Sequence, residues 1–552
     1  MSRFAWMLSM AVGFLSLSQE ILWVRIISFG TRGMSQSFAL VLFLFLLGIA
    51  LGSAYGKRLC DRNGDLLRTS PFVLGAAGVL DLSPVLVLPP LMRNPAVGAI
   101  LLMGLVVLTA APKSIMFPIA HHLGSQQSGA RIGRSVSKVY FGNIVGSTLG
   151  PIVTGYILLE RLSLDDCLIL LGLCTGLLSL LCALQARALA TGLVAVVLIV
   201  PLAAAAWPHG QGLAGAIASR NNLGQPGFRV KHMVQNRHGI IHTESSDDGR
   251  PDTVLGGNVY DGKVSVDMAS NYNALDRALV LLAAHPNPER VLLIGLSTGA
   301  WARVLSASPR IKELTVVEIN PGYVSLITRY PQVAGLLSDA HVRIVIDDGR
   351  RWMRRNPHEK FDLIVQNTTW SWRAYASNLL SYEYMALTRS HLRPGGILAL
   401  NSTWSGDVLK TAQAVFPHVE RRDNFVYGSQ ADFARAIPEA ETAYRELTLD
   451  GVPVFSNDAF RPGGVARDMI DHPFAPREQL YDGFSESPDV ITHQNLLVEH
   501  AHGYFRKHLP GFYRRVDAVR EILNASAPAG RPGTAARWRS APPGGLSAPP
   551  VP

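Results

Sequence analysis

Charge is scarce in this chain: Asp, Glu, Lys and Arg make up only 17% of its 552 residues, and mean hydropathy is positive at +0.19. With 48% hydrophobic residues, that scarcity excludes a disordered chain and argues against an ordinary soluble enzyme. Cysteine is nearly absent as well. The four present, Cys60, Cys167, Cys174 and Cys182, fall in the first half without metal-ligand spacing, so neither a disulfide scaffold nor a zinc site is expected. Acidic residues are outnumbered, leaving a net charge of +10, yet the lysines and arginines form no sustained stripe, and no nucleic-acid partner is expected.

What the chain has in excess is apolar length, and it is unevenly placed. Crossing a bilayer takes about 20 largely apolar residues as helix, and seven blocks meet that measure: 4–28, 36–55, 70–92, 96–120, 136–159, 164–184 and 188–206. The first has no short apolar core followed by a small-residue cleavage site, so it reads as a retained helix. A multipass protein of the cell (inner) membrane, with the lipid bilayer as partner, is the expectation. Basic residues Lys57, Arg58, Arg62 and Arg68 follow the second span and Arg131, Arg134 and Lys138 the fourth, against Arg32, Arg93 and Arg161 on the other side. The positive-inside rule then puts the N-terminus in the cytoplasm and, after seven crossings, the rest of the chain outside.

Gly48, Gly52 and Gly56 in the second span and Gly142, Gly146 and Gly150 in the fifth form matching small-residue stripes. They suit equivalent members of a three-plus-three inverted repeat of transporter type, or plain helix packing. Glu20 with Gln19, Asp81 and Lys113 are ionisable or polar groups inside spans, read either as a functional polar site or as a structural pair.

Beyond residue 207 the pattern changes to that of a soluble domain. The partition is 1–207 helical membrane domain, 208–226 linker, 227–270 β-hairpins, 271–524 an S-adenosyl-binding-type α/β domain, and 525–552 a disordered Pro/Gly/Ser/Ala tail. Strands are expected at Arg290-Val-Leu-Leu-Ile-Gly, 313–319, 342–347, 361–367 and 396–402, separated by helices, with further strands within 405–465. This alternation specifies a doubly wound, mostly parallel Rossmann-like sheet. The first strand runs into Gly295-Leu-Ser-Thr-Gly299, and the second ends at Glu318, 23 residues after Gly295. Small residues at such a turn admit a nucleotide backbone, and an acid at the next strand tip can accept both ribose hydroxyls. Asp348 is either part of an adenine site or simply a helix N-cap.

The run from His238 to about Thr403 resembles the spermidine synthase (polyamine aminopropyltransferase) branch of the class I methyltransferase fold, in its membrane-fused form. Carrying the resemblance are Asn258-Val-Tyr-Asp-Gly262, Val291-Leu-Leu-Ile-Gly-Leu-Ser-Thr-Gly299, Val317-Glu-Ile-Asn-Pro321, Ile346-Asp-Asp-Gly349, Phe361-Asp-Leu-Ile-Val365 and Leu392-Arg-Pro-Gly-Gly396. In the apolar half Glu20-Ile-Leu-Trp-Val-Arg25 and Asn143-Ile-Val-Gly146 are similar too. The resemblance implies S-adenosylmethionine or its decarboxylated form as cofactor. Gly295, Ser297 and Gly299 would meet its arm and ribose, Glu318 the ribose, and Asp347, Asp348 and Gly349 the adenine.

One family signature departs. Where the fourth strand should end Asp-Ser-(Ser/Thr)-Asp, this chain reads Asn367-Thr-Thr-Trp370, and the Tyr-His-Glu before the first strand becomes Tyr272-Asn273-Ala274. An amide cannot take a proton from an attacking amine, so Asn367, at the catalytic position, puts putrescine in doubt as acceptor. Tyr272, Asp276, Trp370 and Trp372 are candidate acceptor-binding residues, suiting an amine held by ring faces or an apolar or aromatic acceptor. The aromatics packing a lid or the bilayer surface is the alternative. His493, His500, His502 and His508 lack a spacing that would pair them on a helix, so no metal is expected. The reading is a membrane-bound, spermidine synthase-like transferase moving an aminopropyl or alkyl group to a small-molecule acceptor, with a homodimer left open. The alternative is a transporter-like or scaffold protein whose α/β domain senses a nucleoside or polyamine without turnover. An S-adenosyl ligand made in the cytoplasm conflicts with an outward-facing domain unless one apolar block does not cross.

Overall fold

The computed structural model describes residues 2–500 except 63, 92–94, 126–131, 208–211, 221–227, 246, 368–369 and 485–487; the expected tail at 525–552, with His502 and His508, lies outside them. Among the described residues, seven helices are long and apolar enough to cross a membrane. They are α1 (Ser2–Gly30), α2 (Gln36–Asp61), α3 (Leu66–Leu91), α4 (Pro95–Ser125), α5 (Ile132–Val153, continuing through a π turn at Thr154–Leu158 to Arg161), α6 (Leu164–Gln185) and α7 (Leu189–Ala206).

Two pairs carry the packing. Gly142, Gly146 and Gly150 of α5 lie against Trp6, Met10 and Phe14 of α1, and Gly48, Gly52 and Gly56 of α2 against Val107, Ala111 and Ile115 of α4. None of these glycines has room for a β-carbon, so the backbones touch directly. Residue numbers rise together along both contacts, so each pair is parallel. Exchanging the first three helices with the next three turns one pair into the other, as an inverted repeat would.

Where α1, α3, α4 and α6 converge, Lys113 pairs with Asp81 in the bundle's interior. Asp81 also accepts from Gln19 (2.8 Å) and Thr175 (2.7 Å), and Lys113 donates to Gln19 at 3.1 Å. The residue that reaches this network from α1 is Gln19, not its neighbour Glu20.

The stretch read as linker holds a further helix, α8 (Gly212–Arg220). A plain linker would make no packing contacts. Instead Leu213, Ala214, Ile217 and Ala218 are buried on one face against the bundle, and Asp165 of α6 accepts from the Leu213 amide at 2.9 Å.

Four antiparallel strands follow: β1 (Arg229–Asn236), β2 (Gly239–Ser245), β3 (Thr253–Gly256) and β4 (Val259–Lys263), paired in chain order. The α/β part comprises α9 (Asp276–Ala284), β5 (Arg290–Ile294), α10 (Ala300–Ser306), β6 (Glu313–Glu318), β7 (Val342–Ile346), α11 (Gly349–Arg355), β8 (Phe361–Gln366), α12 (Tyr382–Ser390), β9 (Leu392–Asn401), α13 (Gly406–Val415), β10 (His418–Arg422) and β11 (Phe425–Ser429). Its sheet order is β10-β11-β9-β8-β5-β6-β7, parallel from β9 to β7, with β11 and β10 added antiparallel at one edge. Continuous Val/Ile/Leu runs in β5 and β8 are buried on both faces, as a sheet covered on two sides requires.

The β-meander and α/β part sit on one end of the bundle. Arg25 of α1 donates to the carbonyl of Asn236, Gln235 accepts from the Leu164 amide (3.0 Å), and the Arg237 amide donates to Glu160 (3.3 Å). These contacts come from the α1–α2 and α5–α6 ends, whereas Lys57 and Arg58, near the end of α2, and Arg62, just after it, lie at the opposite end.

Removing one partner of the interior ion pair should cost about 3–5 kcal/mol, whereas Asp81→Leu with Lys113→Met should cost less than either single change. Thermal unfolding of the purified full chain, compared across the three variants, checks this.

Candidate functional site

The turn after β5 starts the site. Gly295 and Gly299 have φ of +91° and +77°, and Ser297 is also left-handed at +49°, so the chain reverses sharply between β5 and α10. A β-carbon on Gly295 would lie 2.6 Å from the Asn367 carbonyl; one on Gly299 would meet Ile327 at 2.7 Å. The first glycine therefore permits the close approach of the chain at the end of β8, and the second serves packing against Ile327.

A cavity of about 380 Å³ opens at the carboxyl ends of β5, β6 and β8. Gly295, Ser297, Glu318, Asp348, Gly349 and Asn367 all line it. The β-meander adds His238–Ile241, Gly256, Gly257 and Asp261, and the end of α1 with its following turn adds Arg25, Ser28, Phe29 and Gly33. The helical half thus supplies one wall.

Glu318 is buried, with Oε2 accepting from the Leu296 amide (2.7 Å) and Oε1 from the Asn320 amide (2.8 Å). A carboxylate has about four acceptor positions, so about two remain for a ligand. Burial pushes its pKa up to about 7, with the backbone donors of Leu296, Asn320 and Ile319 pulling the other way. Such a raised value contributes stability that is full below the ordinary 4.5 and is lost as pH rises through about 7.

Asp348 caps α11, accepting from the Arg351 amide at 2.7 Å, while also lining the cavity. Asp347 is turned to Arg351 and Arg355 instead and does not line it. Asn367 accepts from Asn401 at 3.4 Å and its amide donates to the Ile294 carbonyl.

The candidate acceptor residues are not brought together there. Asp276 is a correction: it is buried at the start of α9 and paired with Arg422 of β10 at 2.8 Å, a contact 146 positions away in the chain. Tyr272 is 44% exposed and stands beneath Lys263, 6.0 Å from its ring centre. Trp370 donates to the Tyr260 carbonyl (3.2 Å) and leans on Trp372 with ring centres 6.4 Å apart, beside the meander and outside the cavity lining. Among the described residues no group of His, Cys, Asp and Glu could hold a metal. His493 lies in a loop, bonded to Ser381 at 2.9 Å.

Sequence reasoning missed Asp261, Tyr323, Arg25 and Arg373 as cavity residues. Tyr323 donates to Asp261, whose carboxyl is raised by burial and drawn back by Tyr323 and Arg373. Arg373 extends past Gly33 and donates to the Gly256 carbonyl at 3.4 Å; burial lowers its pKa. Its backbone bridges Met34, and the Ala374 amide donates to the Gly33 carbonyl at 2.9 Å. Asp261 and Arg25 fall within the runs 258–262 and 20–25 that carry the family resemblance; nothing local marked Tyr323 or Arg373.

Residues 278–439 match the family model of the spermine/spermidine synthase domain. A polyamine aminopropyltransferase of Agathobacter rectalis is 32% identical over 120 residues, 22% of this chain and 41% of that protein. Another, of Erwinia tasmaniensis, is 32% identical over 161 residues, 29% and 54% of the two chains. The chain thus spans only 41–54% of the length of these curated relatives. One from Mycobacterium tuberculosis is 26% identical over 420 residues, 68% of this chain and 75% of that one. That share exceeds what lies beyond residue 207, so the similarity reaches into the helical half. Among solved structures, a spermidine synthase in complex with the transition state analogue AdoDATO is similar at a TM-score of 0.35 and 16% identity, covering 42% of this chain and 87% of that one.

Gly295→Ala should destabilise the fold by about 1–3 kcal/mol, because the left-handed φ and the Asn367 carbonyl both oppose a side chain. A fall in melting temperature, larger than that of Gly395→Ala where no atom lies within 4 Å, is the expected reading.

Proposed function

We propose that this protein is a membrane-bound transferase that binds S-adenosylmethionine or its decarboxylated form and moves an alkyl or aminopropyl group to a small-molecule acceptor. The observation that carries the reading is the convergence of Gly295, Ser297, Glu318, Asp348 and Gly349 on one cavity within a spermine/spermidine synthase domain. Glu318, with acceptor positions left over, suits two ribose hydroxyls. Asp348 and Gly349 at the tip of β7 suit the adenine edge. The sulfonium supplies its own neutral thioether leaving group, so the protein's work is placement and water exclusion. Asn367 at the reacting end cannot act as base, and with Glu318 turned to the ribose the lining acid left beside the Gly295 turn is Asp261, whose backbone carbonyl accepts from Ser297 Oγ at 2.6 Å.

The apolar helices are read as membrane spans, with the α/β half on the end opposite the basic residues at the close of α2. All seven crossing, the positive-inside rule puts that half away from the cytoplasm. An S-adenosyl ligand made inside must then cross the bilayer to reach the cavity. A reporter fused after His500 should accordingly be active outside and silent inside; the reverse result sinks the orientation and removes the need for ligand export.

Calorimetric titration of the full chain with S-adenosylmethionine, its decarboxylated form and methylthioadenosine should show binding of at least one. A folded sample that binds none overturns the function. Ribose hydroxyls favour the ionised Glu318, so affinity should rise with pH, up to about tenfold per unit below pH 7, and level off above it. Glu318→Ala should weaken binding about a hundredfold and flatten that dependence.

A further inference from the structure

We propose that the cavity receives an α-amino-acid end, a carboxylate beside an ammonium, and not the simple amine that an acid-rich aminopropyl site would take. The inference rests on the S-adenosyl reading above and names the chemistry of the ligand's reacting end.

The argument is one of charge. At the end of β8, where the related pattern has two acids, this chain has Asn367 and Trp370, so the two carboxylates that would hold a diamine there are missing, and the acids lining the cavity are Asp261, Glu318 and Asp348. A guanidinium lines the same cavity. Arg373 lines the cavity from the same loop, six residues after Asn367. A β-carbon on Gly257 would lie 2.5 Å from Arg373 Nη2, and one on the adjacent Gly256 would lie 3.0 Å from Asp261 Oδ2. Neighbouring α-carbons are only about 3.8 Å apart. A guanidinium and a carboxyl that feel each other's charge thus both line the cavity near this pair of glycines, and Ser297 Oγ ties the Asp261 backbone to the turn below at 2.6 Å.

That arrangement complements a zwitterion. Arg373 can present two N–H groups to a carboxylate, and Asp261, held by Tyr323, can accept from the ammonium. A bare ammonium would meet the guanidinium as a like charge. Two ligands could bring the zwitterion: the donor, since S-adenosylmethionine keeps the carboxylate that its decarboxylated form has lost, or an amino-acid acceptor.

The full chain is titrated with S-adenosylmethionine, decarboxylated S-adenosylmethionine and methylthioadenosine, and the methylthioadenosine-loaded protein with ornithine and putrescine. The carboxylate-bearing member of the donor pair, or of the acceptor pair, should bind at least about tenfold tighter. Which pair shows it identifies the source. Arg373→Gln should abolish the preference, read as the ratio of the two affinities within each variant, and Arg373→Lys should keep part of it. A cooperative thermal unfolding transition reports an intact fold in both variants, and the Met34 bridge, made by backbone, does not need the side chain. Equal or tighter binding of both decarboxylated compounds by the unsubstituted protein overturns the proposal, as does a preference that survives Arg373→Gln. Failure of every adenosyl compound to bind would instead overturn the S-adenosyl reading itself.

Discussion

The joint between the α1–α2 turn and the loop after β8 is the contact on which the rest depends. Arg32 and Gly33 both take left-handed φ, +61° and +74°, which turns the chain so that the Gly33 carbonyl meets the Ala374 amide. A β-carbon at Gly33 would come within 3.0 Å of the Arg373 guanidinium, so only glycine gives both the dihedral and the space. From the other side, Glu499 accepts from the Tyr375 and Ser377 amides at 2.8 Å each, and Ser35 Oγ donates to the Glu499 carbonyl. The loop is thereby clamped between the bundle and the last described helix. Tyr375, left-handed at +67° and 79% exposed, holds a strained conformation that only such a clamp would maintain.

Burial sets the electrostatics around that joint. Glu318 and Asp261 are both raised by desolvation, yet each is given donors: two backbone amides for one, the Tyr323 hydroxyl for the other. Donors without full neutralisation leave carboxyls able to exchange protein partners for ligand hydroxyls or amines at little reorganisation. Asp276 shows the opposite arrangement. Charge-paired with Arg422, which also reaches Asp468 at 2.8 Å, it fixes α9 to the sheet edge.

The elements whose signal is periodic were legible in the sequence. Seven apolar blocks became seven helices, the five parallel strands lie where Val/Ile/Leu runs alternate with helical stretches, and the Gly295–Gly299 turn opens the cavity. What escaped depends on contacts through space. Composition made 208–226 a linker, but α8 is stabilised by a bundle surface that local sequence does not display. Asp276 and Arg422 are 146 positions apart, and Arg25 and Arg373 reach the cavity from separate halves. The acids missing at 367 and 370 could be read directly; the arginine that changes their meaning could not.

The order of helices also explains why the cavity is not a property of the α/β part alone. Because α1 and α5 run parallel, as do α2 and α4, an odd number of apolar helices returns the chain to the end at which α1 finishes. There α1 presents Arg25, Ser28 and Phe29, and α5 and α6 present Glu160 and Leu164 to the first meander strands. The Arg25 guanidinium on the Asn236 carbonyl bears on the β1–β2 turn, where Asn236 Oδ1 in turn accepts from the His238 and Gly239 amides. Asn236 Nδ2 donates to Asn320 Oδ1 at 2.6 Å, and the Asn320 amide donates to Glu318. A continuous chain of hydrogen bonds therefore links an apolar helix to the carboxyl at the tip of β6. An α/β fragment cut free of the bundle would keep the Gly295 turn but lose the wall that positions this chain, so the helical half is a structural component of the site and more than its anchor.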